Sequence, residues 1–181
     1  MLTYTESLNE ELDKLACYIG CDFEGRFTRV RTEETNMGNW CADLCRSELQ
    51  TDFGLSNGGS LRANSVFKEG PLTYRFINAI LPMTDKVVKV MLTGQQMKDV
   101  LENGVSMWPK MDGRWPLTSG LKFKFDPSRP PLDRIIAGSL KDDFGVAIEM
   151  EKQYTLASKY FISTGKDGFS AFLEKSIFRF P

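Results

Sequence analysis

The run Asn57-Gly58-Gly59-Ser60-Leu61-Arg62 gathers residue types suited to gripping a small anion. Paired glycines tolerate positive φ and carry no Cβ, so the backbone there can approach a ligand closely. Their N–H groups are expected to form an anion-receiving nest. Arg62 follows with a planar fork of donors for phosphate or carboxylate. The same run also reads as a tight strand-to-turn corner beside a surface arginine. Upstream, Arg26, Arg29 and Arg31 add positive potential. Arg26 and Arg29 read as a solvated basic face as much as a contact surface. Glu34, Asn36 and Asn39 stand where a helix should begin and are expected to cap or brace it, not to touch a ligand.

The missing residue types narrow the chemistry further. The chain has no histidine. Ser/His/Asp and Cys/His arrangements are therefore excluded, as are the imidazole ligands common in two-metal phosphatase centres. No G-x4-G-K-[ST] phosphate loop is present. Asp142-Asp143 reads as a solvated turn. Magnesium or calcium held by carboxylates alone stays open in principle, but no metal ligand and no catalytic residue is assigned. Cys17, Cys21, Cys41 and Cys45 form two C-x3-C pairs, weaker than the doubled C-x2-C zinc pattern. Cys41 and Cys45 fall one helical turn apart and read as small buried apolar residues. A zinc-stabilised interaction module and a disulfide in an oxidising compartment are the other readings.

Of 181 residues, 41% are hydrophobic and 26% charged, enough to build one real core. The net charge of -1 leaves no basic excess for a polymeric nucleic acid, whereas two or three arginines suffice for a single small anion. No apolar run of about 18 or more residues is present, so no membrane segment is expected. Met1 to Lys14 is acidic and polar, unlike a signal peptide. The compartment stays open: cytoplasmic if Met1 is the natural start, extracellular or periplasmic if the chain is cut from a secreted two-domain enzyme.

These side chains must be carried by alternating elements. Leu8, Leu12 and Leu15 predict a helix over Thr5 to Cys17, and Ala16 to Cys21 a short lead-in strand. Helices are predicted over Asn36–Leu49, Leu72–Ile80 and Gly94–Val105, with a final short one over Ser170–Lys175. Strands are predicted over Asp52–Leu55, Asp85–Leu92, Leu121–Phe125, Arg134–Leu140, Val146–Met150 and Tyr154–Ile162. This is a single α/β (α+β) domain, a mixed β-sheet sandwich with helices on its outer faces. The whole chain 1–181 forms it, with 1–19 as N-terminal helix and lead-in strand.

Several segments together resemble a known family, the C-terminal, substrate-binding domain of 5′-nucleotidases. They are Gly25-Arg26, Arg31, Glu34-Thr35-Asn36-Met37-Gly38-Asn39 and Asp43; Asn57 to Arg62; Leu81-Pro82-Met83; Leu92-Thr93-Gly94 and Leu101-Glu102; Ser119-Gly120-Leu121 with Phe125-Asp126; and Tyr160-Phe161, Gly165 and Asp167-Gly168-Phe169. The match spans nearly the whole chain. It implies a two-domain hydrolase whose N-terminal metallophosphoesterase domain, absent from this chain, carries a divalent metal pair such as zinc or manganese. The domain at hand would hold a nucleoside monophosphate or nucleoside and need no cofactor of its own. A free-standing, non-catalytic ligand- or protein-binding domain derived from that family is the alternative.

The resemblance also assigns roles. Arg31 and Arg62 face phosphate, and Asn57 faces base or ribose beside Gly58 and Gly59. Asp167 accepts from ribose hydroxyls, for which an acceptor-only carboxylate is suited; alternatively it is an Asp-Gly turn. Gly120 lies near the base. Phe161 matches one ring of an aromatic clamp, and Met83 stands where the family usually has Phe. Stacking contributes ~1–3 kcal/mol per base, and a thioether covers a ring with less stacking and more flexibility. Trp108 or Trp115 could compensate.

Overall fold

The computed structural model describes the backbone of residues 4–173 and 177–179 and the side chains of residues 8–173. Helix α1 (Tyr4–Leu12), strands β1 (Leu15–Ile19) and β2 (Phe23–Glu24) and a single helical turn, α2 (Phe27–Val30), open the chain. Helix α3 (Asn36–Leu49) leads to β3 (Phe53–Asn57), a 3-10 turn at Gly58–Ser60, and the short β4 (Val66–Phe67) and β5 (Gly70–Thr73). Then come α4 (Tyr74–Ile80), β6 (Val87–Thr93), α5 (Gly94–Val105), β7 (Pro116–Ser119), β8 (Leu121–Lys122) and β9 (Lys141–Asp142). Strand β10 (Gln153–Lys159), α6 (Tyr160–Ser163), two 3-10 turns and β11 (Ile177–Arg179) follow.

Five strands form the central sheet in the order β11-β6-β10-β3-β7. Strands β10 and β3 are parallel, and every other neighbouring pair is antiparallel, so the sheet is mixed as expected. Every residue of β3 is buried, as are Leu156 to Ser158 of β10, so both faces are covered. Strand β7 shows how. The Pro116 ring lies against Gly104 of α5, and the side chain of the next residue, Leu117, lies against Gly38 of α3. Successive strand residues point to opposite faces, so α5 and α3 cover opposite sides. Met37, Leu55, Leu61, Leu92, Leu101 and Leu156 are fully buried between these layers, each contributing about 1.5–3 kcal/mol of transfer free energy. Among the described residues, no helix is long and apolar enough to cross a membrane.

Helices α3 and α5 occupy the spans their periodicity predicts, because both carry strong N-terminal caps. Thr35 accepts from the Gly38 N–H, and Thr93 with Gln96 forms a capping box. The cap of α3 is Thr35; Asn36 and the Asn39–Glu34 hydrogen bond brace it from outside. Elsewhere tertiary pairing overrides local pattern. The first helix stops at Leu12 because Leu15–Ile19 pairs with β5, and that same pairing turns the predicted start of a helix at Leu72 into strand. The predicted strand Tyr154–Ile162 ends at Lys159, where a helical turn takes over. Leu121–Phe125 keeps only a two-residue ladder with β9 and a bridge from Phe125 to Ile135. The predicted strands Arg134–Leu140 and Val146–Met150 are reduced to isolated bridges. Lys141–Asp142 is itself a short strand, and the turn follows it, with Asp142 Oδ1 accepting from the Phe144 and Val146 N–H groups. The last helix is a 3-10 turn over Ser170–Leu173; Lys175 lies outside the described residues.

One buried polar arrangement bears on the site. The Glu102 carboxylate on α5 accepts from the backbone N–H groups of Arg134 and Ile135, at 2.7 and 2.8 Å. The Arg134 guanidinium donates to the carbonyls of Val105, Ser106 and Trp108. A cation at the C-terminal end of α5 complements its exposed carbonyls. It thereby fixes the start of the 106–115 loop.

Candidate functional site

The C-terminal ends of the parallel strands β3 and β10 meet the N-terminal ends of β6 and β7 at one edge of the sheet. Clefts outside the carboxyl ends of parallel strands are the usual ligand positions in open α/β sheets. Here a cleft of about 570 Å³ opens, lined by Arg31, Asn57, Gly59, Arg62, Met83, Phe161 and Asp167 together. Seven of the nine side chains and glycines expected from the sequence thus share one cavity.

Arg31 ends the α2 turn, with its guanidinium carbon 4.2 Å from the Phe27 ring centroid. Its Nη1 donates to the Met111 carbonyl at 3.3 Å, while its buried Nε has no partner among the described residues. Burial, followed by the charge of Arg62, holds its pKa below the ordinary arginine value. Arg62 leaves the 3-10 turn with its backbone N–H on the Ile80 carbonyl. Its guanidinium Nη2 lies 3.9 Å from Met83 Sδ. Among the described residues neither arginine has a carboxylate within ion-pair distance. Like charges thus face one cleft, with the Asp112 charge acting against the effect of Arg62 at Arg31.

At the other end, Asn57 Nδ2 donates to the Gly113 carbonyl at 2.9 Å and reaches Asp167 Oδ2 at 3.4 Å. Asp167 sits in the left-handed region at φ 54°, a conformation Asp tolerates better than most side chains. The Asn103 amide of α5 holds its carbonyl at 3.1 Å. Phe161 and Met83 are 45% and 58% exposed, leaving apolar surface at the rim.

Three expectations need correction. The glycine nest does not form, because the Gly58 N–H donates to the Trp115 carbonyl and the Gly59 N–H to Gly113. Gly58 is packed behind the cleft against the Val30 carbonyl, where no side chain would fit. Gly120, at φ +74°, lies under the Arg46 guanidinium in a separate cavity of about 590 Å³, beside Ser119 and Asp43. Beside Gly59 the cleft is lined by Gly113, closely packed on it, with the position of a Cβ at Gly113 3.9 Å from Asp167 Oδ2. Trp108 and Trp115 turn away from the cleft, both packing edge-on against Phe125. Arg26 pairs with Glu24, and Arg29 with Glu33, so both belong to the solvated face.

Sequence reasoning also missed Asp85, Asp112, Arg114, Lys159 and Lys166, all on the cleft wall. Asp112-Gly113 carried a turn signal that could have marked it; the others stand at strand ends or turns, where no periodicity flags them. Arg114 pairs with Asp112 at 2.8 Å. Burial opposes ionisation of Asp112, but hydrogen bonds from Arg114 and the charges of Arg114 and Arg31 outweigh it and hold its pKa below the usual carboxylate value. No group of three or more His, Cys, Asp or Glu side chains able to hold a metal occurs among the described residues. All four cysteines are free thiols; burial pushes Cys41 up to about 12.

Known proteins share this arrangement of elements. The family "5′-nucleotidase, C-terminal domain" matches residues 15–174. The trifunctional nucleotide phosphoesterase protein YfkN of Bacillus subtilis is 28% identical over 96% of this chain and 12% of its own length. The 5′-nucleotidase of Bos taurus is 25% identical over 93% of this chain and 31% of its own. A 5′-nucleotidase precursor from Thermus thermophilus superposes with a TM-score of 0.88 at 29% identity, covering 97% of this chain and 35% of that one. The chain thus spans about a third or less of the relatives it matches. With the family pattern running through all but its ends, the chain belongs to the 5′-nucleotidase C-terminal domain family.

Proposed function

We propose that the cleft binds a nucleoside monophosphate and positions it for a metallophosphoesterase domain of the same enzyme. The phosphate sits between Arg31 and Arg62, the ribose hydroxyls donate to Asp167, and the base lies against Phe161 and Met83. Asn57 and Gly59 form the floor, with Gly113 in the place first given to Gly120. The single observation that carries this reading is the pair of guanidiniums in one cleft without a carboxylate partner, one of them with a buried, orphaned Nε. A dianionic phosphate supplies the missing acceptors.

The domain itself breaks no bond in this reading. Its contribution is orientation, which supplies much of the rate in phosphoryl chemistry. The metal pair that would activate water belongs to the other domain. Family membership does not favour the alternative of a free-standing, reaction-less derivative. Isothermal titration with AMP and adenosine tests the proposal. Binding in the micromolar to millimolar range is expected, tighter for AMP, with no phosphatase turnover by this chain in manganese, cobalt or zinc. Absence of AMP binding, or robust turnover, would overturn it.

A further inference from the structure

Lys159 and Asp85 line the cleft but have no part in the contacts assigned above. Lys159 is the last residue of β10, and Asp85 precedes β6. Their side chains are 15% and 17% exposed, and Lys159 Nζ lies 4.0 Å from Asp85 Oδ2. Two chains of hydrogen bonds leave this pair. Lys159 Nζ donates to Ser60 Oγ at 3.2 Å, and Ser60 Oγ donates to Asn57 Oδ1. That commits the Asn57 carbonyl oxygen and leaves its NH2 to face Gly113 and Asp167. On the other side, the same Asp85 Oδ2 accepts from the Phe161 N–H at 3.1 Å. The Tyr160 N–H, one residue earlier, donates to the Lys86 carbonyl at 2.8 Å.

One half-buried ion pair is therefore wired to both walls of the cleft. Connected polar groups in a low-dielectric site strengthen each other and rigidify what they hold. Fixing a binding wall in advance lowers the ordering cost of association.

We propose that Lys159 and Asp85 are positioning residues that hold Phe161 and the Asn57–Asp167 edge in one fixed relation, so that base and ribose are read as a unit. The inference rests on the nucleotide reading above. A lysine in an anion site has an obvious rival role, direct contact with phosphate. The two roles separate by ligand. For Lys159→Met, coupling of the usual size for groups in one network predicts about 5- to 10-fold weaker binding of both adenosine and AMP, with inorganic phosphate unchanged. A direct phosphate ligand would instead weaken phosphate and AMP and leave adenosine alone, which would overturn the proposal.

Asp85 offers a rescue test. Asp85→Ala removes the acceptor for the Phe161 N–H and should weaken adenosine. Asp85→Asn keeps an oxygen there and should recover part of that loss; equal losses would count against the proposal. A ligand-free measurement stands apart from the nucleotide reading. In 15N-correlated spectra of Lys159→Met, the Asn57 side-chain amide and the Phe161 backbone amide should both shift. Unmoved resonances would overturn the inference even if AMP binds the unaltered domain. If that domain binds neither AMP nor adenosine, the nucleotide reading fails, and the spectra still decide whether the pair positions the walls.

Discussion

Arg29 and Arg31 are two residues apart and meet opposite fates. Arg29, like Arg26, lies at the surface in an ion pair with a nearby glutamate. Exposed pairs of this kind contribute ~0–1 kcal/mol and are screened by salt. Arg31 turns inward beside Arg62, and neither has a carboxylate partner among the described residues. The difference is that of a charge already satisfied and a charge held ready. Two guanidiniums lining one cleft without an ion-pair partner among the described residues repel each other, which costs the folded chain stability. In the proposed reading a bound phosphate offsets that cost.

The comparison can be broken directly. Charge-assisted hydrogen bonds contribute about 1.5–3 kcal/mol, so Arg62→Ala or Arg31→Ala should weaken AMP binding about 10- to 100-fold. Arg26→Ala and Arg29→Ala should change it by less than about 2-fold. Titration calorimetry on the four variants decides. Similar losses in all four would mean that a diffuse basic face attracts the ligand and that the unpaired arginines are not special. Raising salt should sharpen the contrast, because interactions of exposed charges are screened within about 10 Å at 0.1 M while part-buried ones are screened less.

Next in size is the apolar end. Phe161→Ala should cost ~1–3 kcal/mol of base stacking. Loss for AMP but not for ribose 5-phosphate, which lacks the base, would place the effect where the proposal puts it. Equal losses would show that Phe161 only shapes the backbone near Asp85.

How much of this was legible beforehand follows physical lines. Helices α3 and α5 were readable to the residue from their apolar spacing, although the caps that set their starts were not: Thr35 caps α3 in place of the expected Glu34, Asn36 or Asn39, and the Thr93–Gln96 box caps α5. Leu72 was misread because β1, more than 50 residues away, claims it as a strand partner. Arg31, Arg62, Phe161 and Asp167 were singled out by the resemblance to the family, their spacing alone being equally compatible with turns and core positions, and the fold brings them into one cleft. Gly58 and Gly120 were misjudged because a glycine shows where a side chain is forbidden without showing what forbids it: here the Val30 carbonyl and the Arg46 guanidinium. Lys159 and Asp85 were invisible because their meaning lies in a contact between residues 74 positions apart.

The smallest effect concerns Met83, where Arg62 and the apolar rim meet. Its sulfur lies 3.9 Å from Arg62 Nη2, and the side chain is 58% exposed. A thioether is a weak acceptor and a flexible cover, so it neither satisfies Arg62 nor forms a rigid ring face. Met83→Phe replaces it with an aromatic surface, and an added aromatic contact contributes about 0.5–1.5 kcal/mol beyond area. AMP and adenosine should both bind about 2- to 10-fold tighter, by the same factor, since the phosphate contacts are untouched. Inorganic phosphate should be indifferent. Should phosphate affinity change while adenosine affinity does not, Met83 acts through the Arg62 guanidinium, and the division of the cleft into a charged and an apolar end is wrong at this residue.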